Sequence, residues 1–342
     1  MKTMALAGLL TQRRRTVSLV LLIMATLLCL RILGLKLFYV YCNDGMDLCR
    51  HTIGHTYTEP APARHPTSSK IVNDVIPILT SADVCAKNSP PIVIGVLSAA
   101  TAAGATRRRA IRETWGGGEN AAVADSNVTI VFVLGTCDRD VTRQRLAIEA
   151  RAHGDVIQGA FADTYRNLTM KTLFLLQWTS SQCPDATYLL KTDDDVFINV
   201  DSLLKLTGST ARTGALIGCI NHGSKVVRSP GSKWQVSRSL YSAPYYPAYV
   251  GGAGYLMSAD VVKALHAAAM RTAMIPVEDA FITGVVAARV GVVPRNNDRF
   301  ARYGAVRRTP CEAQYAITTH LLMGATMPEL WNMTKRAKTT KC

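Results

Sequence analysis

The sequence predicts an α/β fold with a mainly parallel sheet, and three observations point to it. Short apolar runs without polar interruption occur at 92–98 and 129–135, as expected for strands covered on both faces. Segments of helical character alternate with them, and that alternation builds parallel sheets whose ligands sit at the carboxyl ends of the strands. At one such end, after the apolar run 188–192, stand three consecutive aspartates, Asp193, Asp194 and Asp195.

The elements follow in order. The strand at 92–98 leads to a helix at 107–115. The strand at 129–135 leads to a charged helix at 142–152. Residues 168–181 carry Met170, Leu173 and Phe174 at helical spacing and lead into the aspartate-bearing strand. An alanine-rich helix follows at 259–270. No internal repeats are evident.

The 342 residues suffice for a full core, and 48% apolar content excludes a disordered chain. The formal charge of +15, from 39 basic and 24 acidic residues, could suit a nucleic acid, a membrane surface or an anionic substrate. The arginines are dispersed apart from Arg13–Arg15 and Arg107–Arg109. No zinc-finger spacing or RNA-binding aromatic motif stands beside them, so nucleic acid is not expected.

Residues 17–35 are almost wholly apolar and long enough to cross a bilayer. Lys2 and Arg13–Arg15 precede them, which keeps the amino terminus cytosolic and sends the rest across. No small-residue cleavage site follows, so an uncleaved type II signal anchor is expected rather than a signal peptide. Arg31 costs this anchor about 2 kcal/mol, less where it snorkels. The expected organisation is a cytosolic tail (1–16), a transmembrane signal anchor (17–40), a Pro/Ser/Thr-containing stem (41–89) and a lumenal domain (90–342). Eight of nine cysteines lie beyond the anchor without CxxC pairs, which suggests disulfides rather than zinc. Sequons at Asn127, Asn167 and Asn332 agree with a lumenal location.

Three segments carry chemistry. Carboxylates packed as closely as Asp193–Asp195 repel one another, and a hard cation relieves them; such a cation also helps a diphosphate to leave. The bland alternatives are a solvated acidic loop or a structural calcium site. The apolar flanks argue against the first, and the spacing excludes an EF-hand. The second segment is Glu278-Asp279, either a helix N-terminal pair serving the dipole or a general base for an acceptor hydroxyl; the residues alone leave both open. The third is 246–255, where Gly251, Gly252 and Gly254 allow close backbone approach and tyrosines offer faces for a sugar ring. A tight turn with core tyrosines is its alternative.

Together these motifs resemble the animal beta-1,3-galactosyltransferase family. The resemblance runs through Ile111-Arg112-Glu113-Thr114-Trp115-Gly116, Val131–Gly135, Asp155–Gln158 and Asp163–Thr172. It continues with Lys191–Asn199, Ser232-Lys233-Trp234, 246–258, Glu278-Asp279, Ile317–His320 and Pro328–Trp331. It implies a GT-A-type, Rossmann-like mixed sheet flanked by helices, behind the transmembrane helix. It also implies a Golgi membrane location, a UDP-sugar donor, a glycan acceptor on glycoprotein or glycolipid, and Mn2+. On the family's pattern Asp195, Asp193 and His320 would hold the metal. Arg108, Arg112, Lys171, Asp193 and Asp194 would surround the donor, and Trp234, Tyr249, Gly252 and Gly254 the acceptor. Asp279, or else Glu278, corresponds to the inverting base. The donor expected is UDP-galactose, with UDP-N-acetylglucosamine as the alternative. An inactive lectin-like relative and a soluble phosphohydrolase are readings from other classes. Three positions depart from the family: Ala160 replaces its aspartate, Val250 its frequent cysteine, which leaves Cys311 without the usual partner, and Ala280 its valine.

Overall fold

A computed structural model describes residues 74–81, 83–86, 89–137, 139–301, 309–321 and 326–339. The expected tail and anchor and most of the stem lie outside the described residues, and among those described no helix is long and apolar enough to cross a membrane.

Among the described residues, ten strands form two sheets. They are β1 (Pro77–Leu79), β2 (Ile92–Leu97), β3 (Val128–Thr136), β4 (Val156–Ala162), β5 (Tyr188–Asp193), β6 (Val196–Ile198), β7 (Leu216–Asn221), β8 (Tyr249–Ser258), β9 (Arg295–Asn296) and β10 (Thr318–His320). The large sheet runs β1-β4-β3-β2-β5-β8-β7-β9, and β10 pairs with β6. Strands β4, β3, β2 and β5 are parallel, whereas β8 lies antiparallel between β5 and β7. The parallel half is the part that apolar runs predict. All six residues of β2 are buried, because helices cover both faces.

Helices α1 (Ala102–Arg112) and α2 (Asp140–His153) connect β2, β3 and β4, and α3 (Leu168–Gln182) crosses back to β5. Right-handed crossovers put α1 and α2 on one face and α3 on the other. Helix α4 (Val200–Ser209) precedes β7, and α5 (Ala259–Ala269) follows β8. A π-helical segment, Ala280–Val286, lies beyond, and α6 (Met327–Ala337) closes the described chain. Helix α1 begins five residues before the expected position. Thr101 accepts a hydrogen bond from the Gly104 amide at 3.1 Å, and this cap nucleates a helix through the weakly patterned 102–106 stretch. The expected end at Trp115 is instead a turn, with Trp115 fully buried.

The core on the α3 face joins Leu173, Phe174, Leu175 and Leu176 to Leu265, Phe281 and Ile282. A disulfide between Cys85 and Cys183 ties the amino-terminal segment to the end of α3 across a sequence separation of 98. Cys219 and Cys311 are disulfide-bonded as well, so Cys311 does not lose its bond through the valine at 250; Cys219 supplies a half-cystine on β7, the strand paired with Val250. The Cys85→Ala/Cys183→Ala double variant is expected to lose about 2–4 kcal/mol of unfolding free energy, measured by denaturant melts, because the unfolded chain regains a long loop.

Candidate active site

Strand β5 ends at Asp193, and the pleat sends successive side chains to opposite faces of the sheet. Lys191 and Asp193 therefore share one face. The Lys191 ammonium donates to Asp193 Oδ1 and to the Gly252 carbonyl, both at 2.8 Å, and lies 3.4 Å from Glu278 Oε2. Asp194 turns to the α1 face and is buried, accepting from Ser98 Oγ at 2.7 Å and from Arg107 at 3.0 Å. Asp195 points into the cleft, with Oδ1 at 3.8 Å from His320 Nε2. The three carboxylates thus diverge, and protein cations already compensate two of them.

Pairing of β10 with β6 brings His320 to this tip, with His320 opposite Val196, and the Leu321 amide donates to the Asp195 carbonyl at 2.8 Å. The antiparallel register of β8, with Thr192 opposite Gly254, brings Gly251 and Gly252 level with the aspartates. The Gly252 amide donates to Asp279 Oδ2 at 3.0 Å, and the Ala280 amide donates to Oδ1 at 2.8 Å, capping the π-helical segment. π-Helical turns are rare and concentrate at functional sites.

The helix-start reading of the acidic pair holds for Asp279. Asp279 caps a helix start and also faces the cleft with part of its surface open. Burial, reinforced by the Glu278 charge, pushes its carboxyl up to about 6 against the pull of the Ala280 amide, Lys191 and the Gly252 amide. Glu278 is more deeply enclosed. Its Oε1 accepts from Thr172 at 2.9 Å and Tyr255 at 2.5 Å, and Oε2 faces Lys191. Asp279 is the carboxylate with room for a substrate hydroxyl.

The cleft encloses about 570 Å³, within the range of small-molecule sites. Asp193, Asp195, His320, Glu278 and Asp279 line it together with Trp234, Tyr249 and Gly252. Gly254 is not among the lining residues. A Cβ there would come within 2.8 Å of Thr318 Cγ2, so this glycine serves the packing of β10 on the main sheet. Ala160 is exposed on β4 and does not line the cleft, so the carboxylate absent there is not missing from this site.

The basic residues that the resemblance places around the donor do not line this cleft. Arg108 is buried and bonds Glu149 through Nε at 2.8 Å and NH2 at 2.6 Å, with NH1 on Ser98 Oγ and the Ala99 carbonyl. Arg112 makes two 2.7 Å bonds to Asp155 and one of 2.9 Å to Glu149. Both line a groove of about 590 Å³ between α1 and α2 that contains neither acidic cluster. Lys171 is buried against Asp163 at 2.8 Å and the Ser98 carbonyl at 2.5 Å. Asp163 also accepts from the Ala100 and Gly135 amides, fastening the ends of β2 and β3. These groups build the frame of the strand tips, and all three stand outside the cleft lining.

For the metal the donor set is smaller than expected. Among the described residues no three of His, Cys, Asp and Glu converge as a metal cage. Lys191 takes Asp193 Oδ1, leaving Asp195 and His320 as the near pair. One carboxylate oxygen and one imidazole nitrogen suit a Mn2+-type ion that draws its remaining ligands from water and phosphate.

Lys191, Tyr165 and Lys233 line the cleft without a role in the sequence reading. A signal for Lys191 existed: a lysine inside an apolar strand, two residues before a carboxylate, shares its face. Lys233 lies 5.0 Å from the Tyr165 ring centroid and 4.6 Å from that of Trp234, bridging loops distant in sequence, and no local pattern marks that contact.

Residues 106–298, more than half of the chain, match the galactosyltransferase family. The chain is 32% identical to beta-1,3-galactosyltransferase 1 of Homo sapiens and Mus musculus over 268 residues, 78% of this chain and 80% of each relative. It is also 32% identical to UDP-GlcNAc:betaGal beta-1,3-N-acetylglucosaminyltransferase 7 of Rattus norvegicus, over 66% of this chain and 60% of that one. Among solved structures, a glycosyltransferase involved in glycosylation of the PBCV-1 major capsid aligns with 12% identity and a TM-score of 0.34, over 73% of this chain and all of that one. The Asp193–Asp195 tip, the acidic pair and the glycine strand between them all lie inside the matched segment, and the chain belongs to the animal beta-1,3-galactosyltransferase family of glycosyltransferases.

Proposed function

We propose that this protein is an inverting glycosyltransferase of GT-A type that moves galactose from UDP-galactose to a glycan hydroxyl in beta-1,3 linkage. The observation that carries this reading is one cleft lined both by Asp195 with His320 and by Asp279. The proposed setting is the Golgi membrane, with a single-pass type II anchor and a lumenal catalytic domain. It rests on the 17–40 segment and its flanking charges, which lie outside the described residues.

The reaction is a single in-line displacement. The acceptor oxygen attacks the anomeric carbon from the face opposite UDP while Asp279 takes its proton, and the bond to UDP breaks with the electron pair leaving on the diphosphate. An alpha-linked donor so gives a beta-linked product. The raised proton affinity of Asp279 suits this role, since a base near neutrality combines ionisation with useful basicity. Trp234, 44% exposed, and Tyr249 offer faces for the acceptor sugar. Asp195 and His320 would hold Mn2+. When bound, the ion supplies positive charge to the departing diphosphate. UDP-N-acetylglucosamine remains the second reading, favoured by similarity to the N-acetylglucosaminyltransferase relative.

Asp279→Asn is expected to lower turnover by about 100- to 10,000-fold while leaving UDP affinity unchanged; full turnover would remove Asp279 as the base. The wild-type kcat/KM should rise with pH through about 6 as Asp279 ionises. A pH series on wild type and on the residual Asp279→Asn activity checks this, since the variant should lack that limb. Asp195→Ala and His320→Ala should each raise the manganese concentration for half-maximal rate by about tenfold. A UDP-sugar panel separates the donors, and saturable glycan binding without product would identify a lectin-like relative.

A further inference from the structure

One long stretch of this chain carries charge of a single sign. No Asp or Glu occurs between Asp201 and Asp260, whereas the stretch holds Lys205, Arg212, Lys225, Arg228, Lys233 and Arg238. Soluble surfaces ordinarily intersperse both signs, and a one-signed segment at a cleft attracts ligands of the opposite sign. Lys225 and Lys233 both line the cleft that contains Asp195 and Asp279, and both are exposed.

An ordered frame carries these lysines. Asn221 is opposite Tyr249 and Lys225 opposite Tyr245, so the β7–β8 ribbon continues past the ends of both strands. The Val226 amide donates to the Pro244 carbonyl at 2.9 Å, and the Tyr246 amide to the Ser224 carbonyl at 3.0 Å. Arg228 is spent inside this frame, its guanidinium donating to the Val236 and Ala243 carbonyls at 2.8 and 2.7 Å. Lys233 lies against the rings of Tyr165 and Trp234. Tyr165 in turn stands in the field of the acidic groups: burial and the Asp279 and Asp193 charges raise the pKa of its hydroxyl, against a hydrogen bond from Trp234. Along the ribbon, Lys225 and Tyr245 lie farther out than Gly252, whose amide holds Asp279. Carboxylates disfavour an anion at the reacting hydroxyl, while the lysines favour one farther along the ribbon. Such a field suits a substrate that is neutral where it reacts and anionic on a neighbouring sugar.

We propose that the acceptor is an anionic glycan whose sulfate or carboxylate group is bound by Lys225 and Lys233 while its reacting hydroxyl meets Asp279. This names the acceptor class of the glycosyltransferase proposed above and rests on that reading.

The test uses the full-length chain with manganese and a panel of UDP-sugars, and offers three matched acceptors. These are a neutral disaccharide, its sulfate ester, and the same disaccharide with a uronic acid in the non-reacting position. Acceptor kcat/KM is measured for each, and glycan affinity by calorimetry with UDP present. Wild type is expected to favour an anionic form by about tenfold, the low end for a hydrogen bond to a charged group, because both lysines face solvent. The form favoured tells sulfate from carboxylate. Lys225→Ala should lower that preference by about three- to tenfold, and added salt should lower it too. Lys225→Arg should keep it, and Lys225→Glu should abolish it. Equal kcat/KM for neutral and anionic acceptors overturns the proposal and leaves the transferase reading standing. So does a Lys225→Ala loss that is equal for all three acceptors or that appears in the donor KM, which would put Lys225 at the donor. A chain that transfers to none of the three yet binds an anionic form more tightly keeps the anion site and overturns the transferase reading. Neither transfer nor selective binding overturns both.

Discussion

The site depends on a single buried ammonium. Lys191 sits in the central strand β5, 1% exposed, between Asp193, the Gly252 carbonyl and Glu278, with the Tyr255 ring 5.7 Å away. Burial opposes its charge, but the Asp193 and Glu278 carboxylates outweigh that penalty and hold its pKa well above the usual lysine range. A buried cation is tolerable only when partnered this closely, and breaking such a pair typically costs about 3–5 kcal/mol. Lys191 lets acidic groups from β5 and from the start of the π-helical segment share one enclosed volume. It also leaves Asp279 differently placed from Glu278: one faces the cleft, the other is absorbed into the frame.

Around that charge, three distant stretches of chain meet for different reasons. The pleat of β5 divides the aspartate triplet between the two faces of the sheet. The antiparallel return of β8 carries Gly252 to the same edge, where its amide bonds Asp279. Thr283 accepts from the Val250 amide at 3.0 Å and donates to the Asp279 carbonyl at 2.6 Å, locking the π-helical segment onto β8. The β6–β10 pair supplies His320 from near the carboxyl terminus. Each contact is made by backbone registry or a buried side chain, so the cleft is positioned by rigid elements, as preorganised chemistry requires.

Much of the fold could be read locally. The continuous apolar runs of β2 and β3 stand where expected, because burial on both faces leaves an unmistakable composition. The start of α1 could not, since its first turn is alanine, glycine and threonine and depends on the Thr101 cap. Strand β8 reads as a glycine-aromatic segment, and nothing local states its direction. In the site, Asp195, Asp279, Trp234 and Tyr249, which the sequence reading assigns to metal, base and acceptor, line one cleft. Gly254, Arg108, Arg112 and Lys171 lie outside its lining. A glycine looks the same whether it admits a ligand or a threonine methyl, and an arginine looks the same whether its partner is a phosphate or Glu149.

By itself the sequence determined the alternation of strands and helices, the acidic tip at a strand's carboxyl end, the second acidic pair and the family to which they belong. These are properties of composition and spacing along one segment at a time. Tertiary structure alone decided which carboxylates are spent inside the protein and which remain for chemistry. That allocation turns on partners 60 to 125 residues away: Gly252 and Glu278 for Lys191, Arg107 for Asp194, and His320 for Asp195. Charge compensation in a low-dielectric interior acts through space, and only the folded chain sets those distances.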